Sequence, residues 1–301
     1  MTQAVSVCLL GFGEVGQTLA ADLTRAGVER LVAWDILFPN PESIPSRGLQ
    51  GTRVQAAADA PSAVREVQLV VSAVTAAQDV NAARSVAPGL TPGTFYLDLN
   101  SVSPGTKREV AAIVESTGAR YVEGAVMSPI GPKRIASPIL LGGPHAEDFL
   151  PLAQQLGFTG TSVFAAEVGR ASAAKMCRSV MVKGIEALLT ESMLAARKYG
   201  VEQTVLDSLH DLFPGPDWHK LAQYMISRSL IHGKRRAEEM REVARTVEQA
   251  GLTPHMSAAC AERQDWASKF RSAADAATLE EMLDAILLEG PGLGARGVGR
   301  A

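Results

Sequence analysis

The stretch from Leu9 to Leu23 reads LLGFGEVGQTLAADL, and its three glycines limit what the surrounding chain can fold into. Gly11, Gly13 and Gly16 follow the apolar run Val5–Leu10 and precede a helix-like segment, Glu14–Arg25, that Gly27 can terminate. An entering strand and a leaving helix give each glycine a task. Gly11 makes the tight turn, Gly13 lets a pyrophosphate approach the backbone, and Gly16 permits close helix–sheet packing. The helix N-terminus then faces the negative phosphates. The strand-like Leu31–Trp34 ends in Asp35, about 20 residues on, where a carboxylate accepts hydrogen bonds from an adenosine ribose. The competing reading is a structural turn followed by a surface aspartate, but the full context of the dinucleotide fingerprint is present. Phe12, Glu14 and Val15 complete the turn's contact set.

The rest of the first half alternates strand-like and helix-like segments. Gln68–Val74, Thr94–Leu97, Tyr121–Val126, Ile139–Leu141 and Thr161–Phe164 read as strands, and Ser103-Pro104 as a helix start with Ser as N-cap and Pro at the first position. This alternation predicts a mostly parallel sheet covered on both faces. Ligands bind such sheets at the carboxyl ends of the strands, so Ala73, Val74, Thr75, Asn100 and Ser101 join the candidate cofactor contacts. Asp35 favours NAD over NADP because a carboxylate repels a 2′-phosphate. Arg47 and Arg53, in the loop region that follows, keep NADP as the alternative.

After about Gly169 the pattern becomes helical. Ala171–Lys198 contains no proline and reads as one helix of roughly 28 residues, about 40 Å long. Further helices are expected at Val205–Leu212, Trp218–Ile231, Lys234–Ala250, His255–Arg271 and Leu279–Leu288, with Gly233 as a helix breaker. The expected fold is therefore an α/β Rossmann domain, residues 1–164, followed by an all-α domain, residues 165–289, led by a long interdomain helix. A flexible glycine-rich tail, residues 290–301, ends the chain.

Composition narrows the function classes. With 29 basic and 32 acidic residues the net charge is -3, which argues against a nucleic-acid or membrane-surface partner. The basic cluster Lys234–Arg236 is followed by Glu238 and Glu239 and reads as a mixed helix face. The three cysteines are far apart and lack metal-ligand spacing, so no metal is expected and a reduced, cytoplasmic setting is. No apolar run approaches the roughly 20 residues of a membrane span. Neither G-x-S-x-G nor H-E-x-x-H occurs, which removes serine hydrolase and zinc chemistry.

Within the long helix, taking Lys175 as zero and about 100° per residue puts Ser179 near 40°, Lys183 near 80° and Glu186 near 20°. These polar groups form a stripe on an otherwise apolar helix. Solvent exposure explains such a stripe; so does a buried functional lysine, and Ala173–Ala174 suggest close packing around Lys175.

With these motifs in view, the chain resembles members of the β-hydroxyacid dehydrogenase and 6-phosphogluconate dehydrogenase superfamily. It most resembles the branch with a 6-phosphogluconate-dehydrogenase-like C-terminal domain of unknown function. The resemblance runs from about Val5 to Trp266. GFGEVGQTLAADL resembles the family's cofactor turn, and VEGAVMSPIGPKRIASPILLGG, Val122 to Gly143, takes the place of its substrate-binding segment. GRASAAKMCRS, Gly169 to Ser179, resembles the G-x-G-x-x-x-K-x-x-x-N catalytic motif and puts its lysine at Lys175. The resemblance implies NAD(P)-dependent hydride transfer at a hydroxyl or carbonyl of a small, anionic substrate. Lys175 would be the general acid–base, in a homodimer whose site lies at the interdomain cleft. It also implies substrate contacts at Met127, Ser128 and Ser179. Here Ser179 replaces the family's asparagine, and Met127-Ser128-Pro129 replaces its Ser-Gly-Gly, so Pro129 offers no backbone N–H. Lys183, His232 and Arg236 either supply a different anion site or are surface charges. Imine reduction, in an architecture that usually lacks this lysine, and a non-catalytic dinucleotide-binding sensor are the alternative functions.

Overall fold

The structure, a computed structural model, describes residues 5–289; the tail expected from Gly290 lies outside them. The chain divides into two compact units, one ending at Cys177 and one beginning at Arg178.

Among the described residues, the first unit is built on eight strands: β1 (Ser6–Leu10), β2 (Arg30–Trp34), β3 (Gln55–Ala56), β4 (Leu69–Ser72), β5 (Phe95–Asp98), β6 (Arg120–Val126), β7 (Ile139–Gly142) and β8 (Thr161–Ala165). They form one sheet in the order β3-β2-β1-β4-β5-β6-β7-β8. Pairing is parallel from β3 through β6, β7 runs antiparallel to β6, and β8 is parallel to β7. The helices of this unit are α1 (Glu14–Arg25), α2 (Ile44–Leu49), α3 (Ala60–Ala63), α4 (Asp79–Val86), α5 (Pro104–Glu115), α6 (Ile130–Lys133) and α7 (Ala146–Gln155). The start of α8 (Arg170–Tyr199) also belongs to it.

Period-two alternation sorts each strand onto two faces. Val7 and Leu9 pack with Leu19 and Leu23 of α1 and Phe149 of α7. Cys8 and Leu10 pack on the other face with Ala83 and Val86 of α4 and Val110 and Val114 of α5. All of these side chains are buried, and each large aliphatic one contributes about 1.5–3 kcal/mol of transfer free energy. Register places Leu10 beside both Trp34 and Ser72, and Ser72 beside Asp98. Gly11, Asp35, Ala73 and Leu99 therefore leave the sheet along one edge, where the chain order reverses around β1. This is the topological switch point at which such sheets bind ligands. Strand β3 carries no sequence signal, because it is two exposed edge residues, Gln55 and Ala56, with no apolar run to mark them.

The second unit contains the remainder of α8 with α9 (Glu202–Leu212), α10 (Trp218–Gln249), α11 (His255–Ala267) and α12 (Leu279–Glu289). Its own core includes Leu189, Met193, Leu206, Ile226, Leu230, Phe270, Met282 and Ile286. Two sequence expectations are corrected here. The break at Gly233 does not occur, because α10 runs unbroken through it. The glycine is buried, and a Cβ there would strike the Gln264 carbonyl oxygen and lie 3.0 Å from Ser268. Its missing side chain lets α11 approach α10. The helix expected to continue to Arg271 instead ends at Ala267 and passes into a 3₁₀ segment, Ser268–Asp275, kinked at Phe270 (φ -110°, ψ 37°). That kink lets the Phe270 ring enter the core, with its centroid 4.6 Å from that of Trp266. No helix among the described residues is long and apolar enough to cross a membrane.

Candidate functional site

The glycine turn is built as its chemistry requires. Gly11 has φ +91°, its N–H donates to the Trp34 carbonyl at 2.9 Å, and a Cβ would come within 2.5 Å of the Ala73 oxygen. At Gly16 a side chain would strike the Gly11 carbonyl, so α1 starts directly on the turn. Gly13 differs, for a Cβ there meets nothing within 4 Å. It also serves as the N-cap of α1 and brings no side-chain hydrogen bond to the first amides of the helix. Open space over uncapped amide donors at a helix N-terminus fits a pyrophosphate. Glu14 is exposed and Val15 half-buried at this end, whereas the Phe12 ring is buried edge-on against Phe38, leaving only its backbone at the turn.

Asp35 is half-buried and bonded to the turn itself. Its Oδ2 accepts the Phe12 N–H at 2.8 Å and its Oδ1 the Leu37 N–H at 2.9 Å. Each oxygen keeps a further lone pair, so the carboxylate can brace the loop and still accept a ribose hydroxyl. Of the two arginines that would favour a 2′-phosphate, Arg47 bonds the Glu42 carbonyl through Nε at 2.9 Å and Nη2 at 2.5 Å, and Arg53 is exposed.

Across the switch point, the ends of β4 and β5 are tied together. The Ala73 N–H donates to Leu10 and the Val74 N–H to Asn100 Oδ1 at 2.7 Å. Thr75 accepts the Gln78 N–H through its carbonyl. Asn100 Nδ2 donates to Ser72 Oγ at 2.9 Å and to Asp79 Oδ1 at 2.7 Å. Both of its amide hydrogens are thus used inside the protein. The adjacent Ser101 instead accepts from Lys175, Nζ to Oγ 2.6 Å. The sequence motif and the β5 end are brought together here, 74 positions apart in the chain.

The anchor of the helix that carries Lys175 comes from a distant strand and has no local motif. Glu123 of β6 is fully buried and accepts the Gly169 N–H at 2.7 Å and the Ser172 N–H at 2.6 Å. It satisfies two orphan amides at the start of α8 and complements the helix dipole there. Gly142 leaves room for it, since a Cβ there would lie 2.5 Å from Glu123 Oε2. The available signal was a carboxylate in the middle of an apolar strand, YVEGAV.

Met127 and Ser128 follow β6 and are half-buried; Met127 donates its N–H to Pro138 and Ser128 Oγ lies 3.3 Å from the Pro129 carbonyl. The other proposed substrate residues lie in the second unit. Lys183 Nζ is 2.8 Å from Glu239 and 3.3 Å from Ser179 Oγ. Arg236 pairs with Glu186, which also accepts from Gln264 at 3.1 Å. Lys183 and Arg236 are therefore neither surface charges nor bare anion ligands, because each is buried beside a carboxylate. Burial raises the Glu186 carboxyl above its ordinary value despite the opposing pull of Arg236. His232 Nε2 accepts from the Arg228 guanidinium at 2.8 Å, and burial, reinforced by Arg228 and three other arginines, lowers its pKa to about 4. No group of three His, Cys, Asp or Glu suited to a metal ion occurs among the described residues. A hollow of about 610 Å³, lined by Gln68, Pro92 and Phe95 among others, opens at the amino ends of the strands, away from these groups.

A doubly wound sheet with this turn and this carboxylate defines a dinucleotide-binding protein. Residues 6–165 match the family model of the NAD binding domain of 6-phosphogluconate dehydrogenase, and residues 196–267 match a domain of unknown function. The chain belongs to the family of the NAD binding domain of 6-phosphogluconate dehydrogenase, here followed by that domain of unknown function. A conserved hypothetical protein from Sinorhizobium meliloti 1021 is 33% identical, with a TM-score of 0.73 over 95% of this chain and 96% of that one. Human mitochondrial 3-hydroxyisobutyrate dehydrogenase is 23% identical over 214 residues, 70% of this chain and 63% of the human protein. The match thus spans less than two thirds of that relative's length. Mycobacterium tuberculosis 3-hydroxyisobutyrate dehydrogenase, solved with L-serine, shares the fold at 21% identity and a TM-score of 0.67, over 95% of this chain and all of that one.

Proposed function

We propose that this protein is an oxidoreductase that moves hydride between NAD and a hydroxyl or carbonyl group of a small, anionic, hydroxy-acid-like substrate, with Lys175 as general acid–base. The observation that carries the reading is the Lys175–Ser101 hydrogen bond of 2.6 Å. It puts an amine at the carboxyl end of β5, on the edge of the sheet that bears the glycine turn. Bound NAD supplies the hydride acceptor. The amides of α1 bind its phosphates, and Asp35 selects the ribose that lacks a 2′-phosphate. Lys175 removes the hydroxyl proton during oxidation and returns it during reduction, while its ammonium form polarises a carbonyl. Glu123 fixes the helix that carries Lys175, and Ser101 orients the amine. The substrate class is that of the 3-hydroxyisobutyrate dehydrogenases the chain resembles, with departures at two positions. Pro129 and Ser179 alter the anion contacts of the wider family, so the acceptable acid need not be 3-hydroxyisobutyrate.

Titration with NADH and NADPH, followed by nicotinamide fluorescence, tests the cofactor site in wild type and Asp35→Ser. Tighter NADH binding that the substitution relaxes is the expected result. A screen of hydroxy acids with NAD then provides a turnover assay in which Lys175→Ala should lose about 10²–10⁴-fold in rate while keeping NADH affinity. Full activity of that variant, or turnover of imines alone, would overturn the assignment.

A further inference from the structure

Behind the Ser101–Lys175 contact lies a buried polar group that the proposed chemistry does not use. Asp79, the first residue of α4, is fully buried together with Ser72, Asp98 and Lys107. Asp98 has donors on both oxygens. It accepts from Lys107 Nζ at 2.8 Å, from the Asn100 N–H at 2.9 Å and from the Tyr121 hydroxyl at 2.8 Å. Lys107 also reaches the Asp98 carbonyl at 3.0 Å. One cation therefore serves two carboxyl groups, and its hydrogen bonds go to Asp98. Asp79 Oδ1 accepts one hydrogen bond, from Asn100 Nδ2 at 2.7 Å; its buried Oδ2 receives none, and as a protonated hydroxyl it is placed to donate to Asp98.

A second buried anion with a single donor would be poorly compensated, so the charge balance makes Asp79 a neutral carboxylic acid. The dipole of α4 favours an anion at this position, but more weakly than the lost hydration of a fully buried carboxylate opposes it. Burial first, then the Asp98 charge, holds the Asp79 carboxyl well above its usual range. The titratable groups facing it are Asp98, Lys107, Tyr96 and Tyr121, with Cys8 acting on Tyr96; Ser72 and Asn100 are the neutral neighbours.

We infer that Asp79 is a positioning residue that locks the Asn100 carboxamide across the ends of β4 and β5 and thereby sets the Ser101 hydroxyl that holds Lys175. The geometry leaves Asn100 little choice. Its Nδ2 lies between Ser72 and Asp79, so its Oδ1 must face the Val74 N–H, and its own N–H is held by Asp98. Asn100 is then a clamp for the cofactor edge, and Ser101 is the side chain the clamp presents. The inference rests on the role proposed for Lys175, but its test needs no substrate.

Asp79→Asn copies the neutral acid and Asp79→Ala removes it; Ser101→Ala is the direct comparison. Melting temperature is followed against pH, NADH affinity by fluorescence, and Lys175 acylation by an acetyl ester through peptide mass spectrometry. A carboxyl group whose folded pKa is raised stabilises fully at low pH and loses that contribution as pH rises towards the folded value. The melting temperature of Asp79→Asn should therefore climb relative to wild type from about pH 5 to about pH 8, with NADH affinity and Lys175 acylation unchanged. Asp79→Ala should change Lys175 acylation severalfold, in the same direction as Ser101→Ala, while Lys198 and Lys220 stay at their wild-type rates. Should that variant not fold, Asn100→Ser provides the same comparison. A relative melting temperature that falls with rising pH, or wild-type Lys175 acylation in folded Asp79→Ala or Asn100→Ser, would overturn the inference. Failure to find NAD-linked turnover would strike the proposed function alone and leave these readouts intact.

Discussion

At the scale of single residues, the polar stripe on α8 shows how far spacing carries and where it stops. Helical periodicity puts Lys175, Ser179, Lys183 and Glu186 on one side of the helix, and the structure buries the last three. What spacing cannot supply is the partners. Glu239 and Arg236 come from α10 and Gln264 from α11, 50 to 78 positions away for the two that bind Glu186. Arg236→Ala should leave Glu186 buried without its cation, a loss of about 3–5 kcal/mol at neutral pH. Burial already raises the Glu186 pKa, and removing Arg236 takes away its largest opposing influence. A carboxyl group with a raised folded pKa destabilises more as pH rises, so the penalty should shrink towards acid and grow towards neutrality. Urea unfolding of the variant and wild type across that range measures it; a penalty independent of pH would mean that Glu186 is not the group left unpaired.

For individual elements, the same residue type gave both the clearest and the most misleading signals. The opening glycines were legible because strand, turn and helix are contiguous, so the whole motif is local. In sequence, Gly233 marks a break, because a glycine inside a helix costs about 1 kcal/mol relative to alanine. Its role is set instead by α11, which reaches α10 only through the missing Cβ. Gly233→Ala thus opposes two effects. Helix propensity gains about 1 kcal/mol, but the new methyl strikes a backbone carbonyl that cannot rotate away, an overpacking cost of about 1–3 kcal/mol. The clash should win, lowering the melting temperature; a more stable variant would show that α11 yields easily. Glu123 illustrates the converse at α8, where a helix start is capped from β6, 46 positions upstream of the amide at Gly169.

On the scale of the whole molecule, the two compact units give the protein separate cores and place the dinucleotide turn in the first. Gly13 allows the turn's function to be separated from its folding. A Cβ there meets nothing within 4 Å, so Gly13→Val should cost only the N-cap preference for glycine over valine, about 1 kcal/mol, and the variant should still fold without cofactor. Saturating NADH should stabilise wild type by about 2.7 kcal/mol at a hundred times its dissociation constant, and the variant hardly at all. Calorimetry with and without NADH checks this; an equal shift in both proteins would move the phosphates away from α1. The sequence by itself determined the parallel sheet, the glycine turn, Asp35 and the long helix, because each follows from local periodicity or a contiguous motif. Only the tertiary structure decided which oxygen meets Lys175, that Glu123 anchors its helix, and that Asn100 faces inward to Asp79. Those contacts join residues from different strands and helices, and such pairings are set by how the elements pack, which no spacing along the chain encodes.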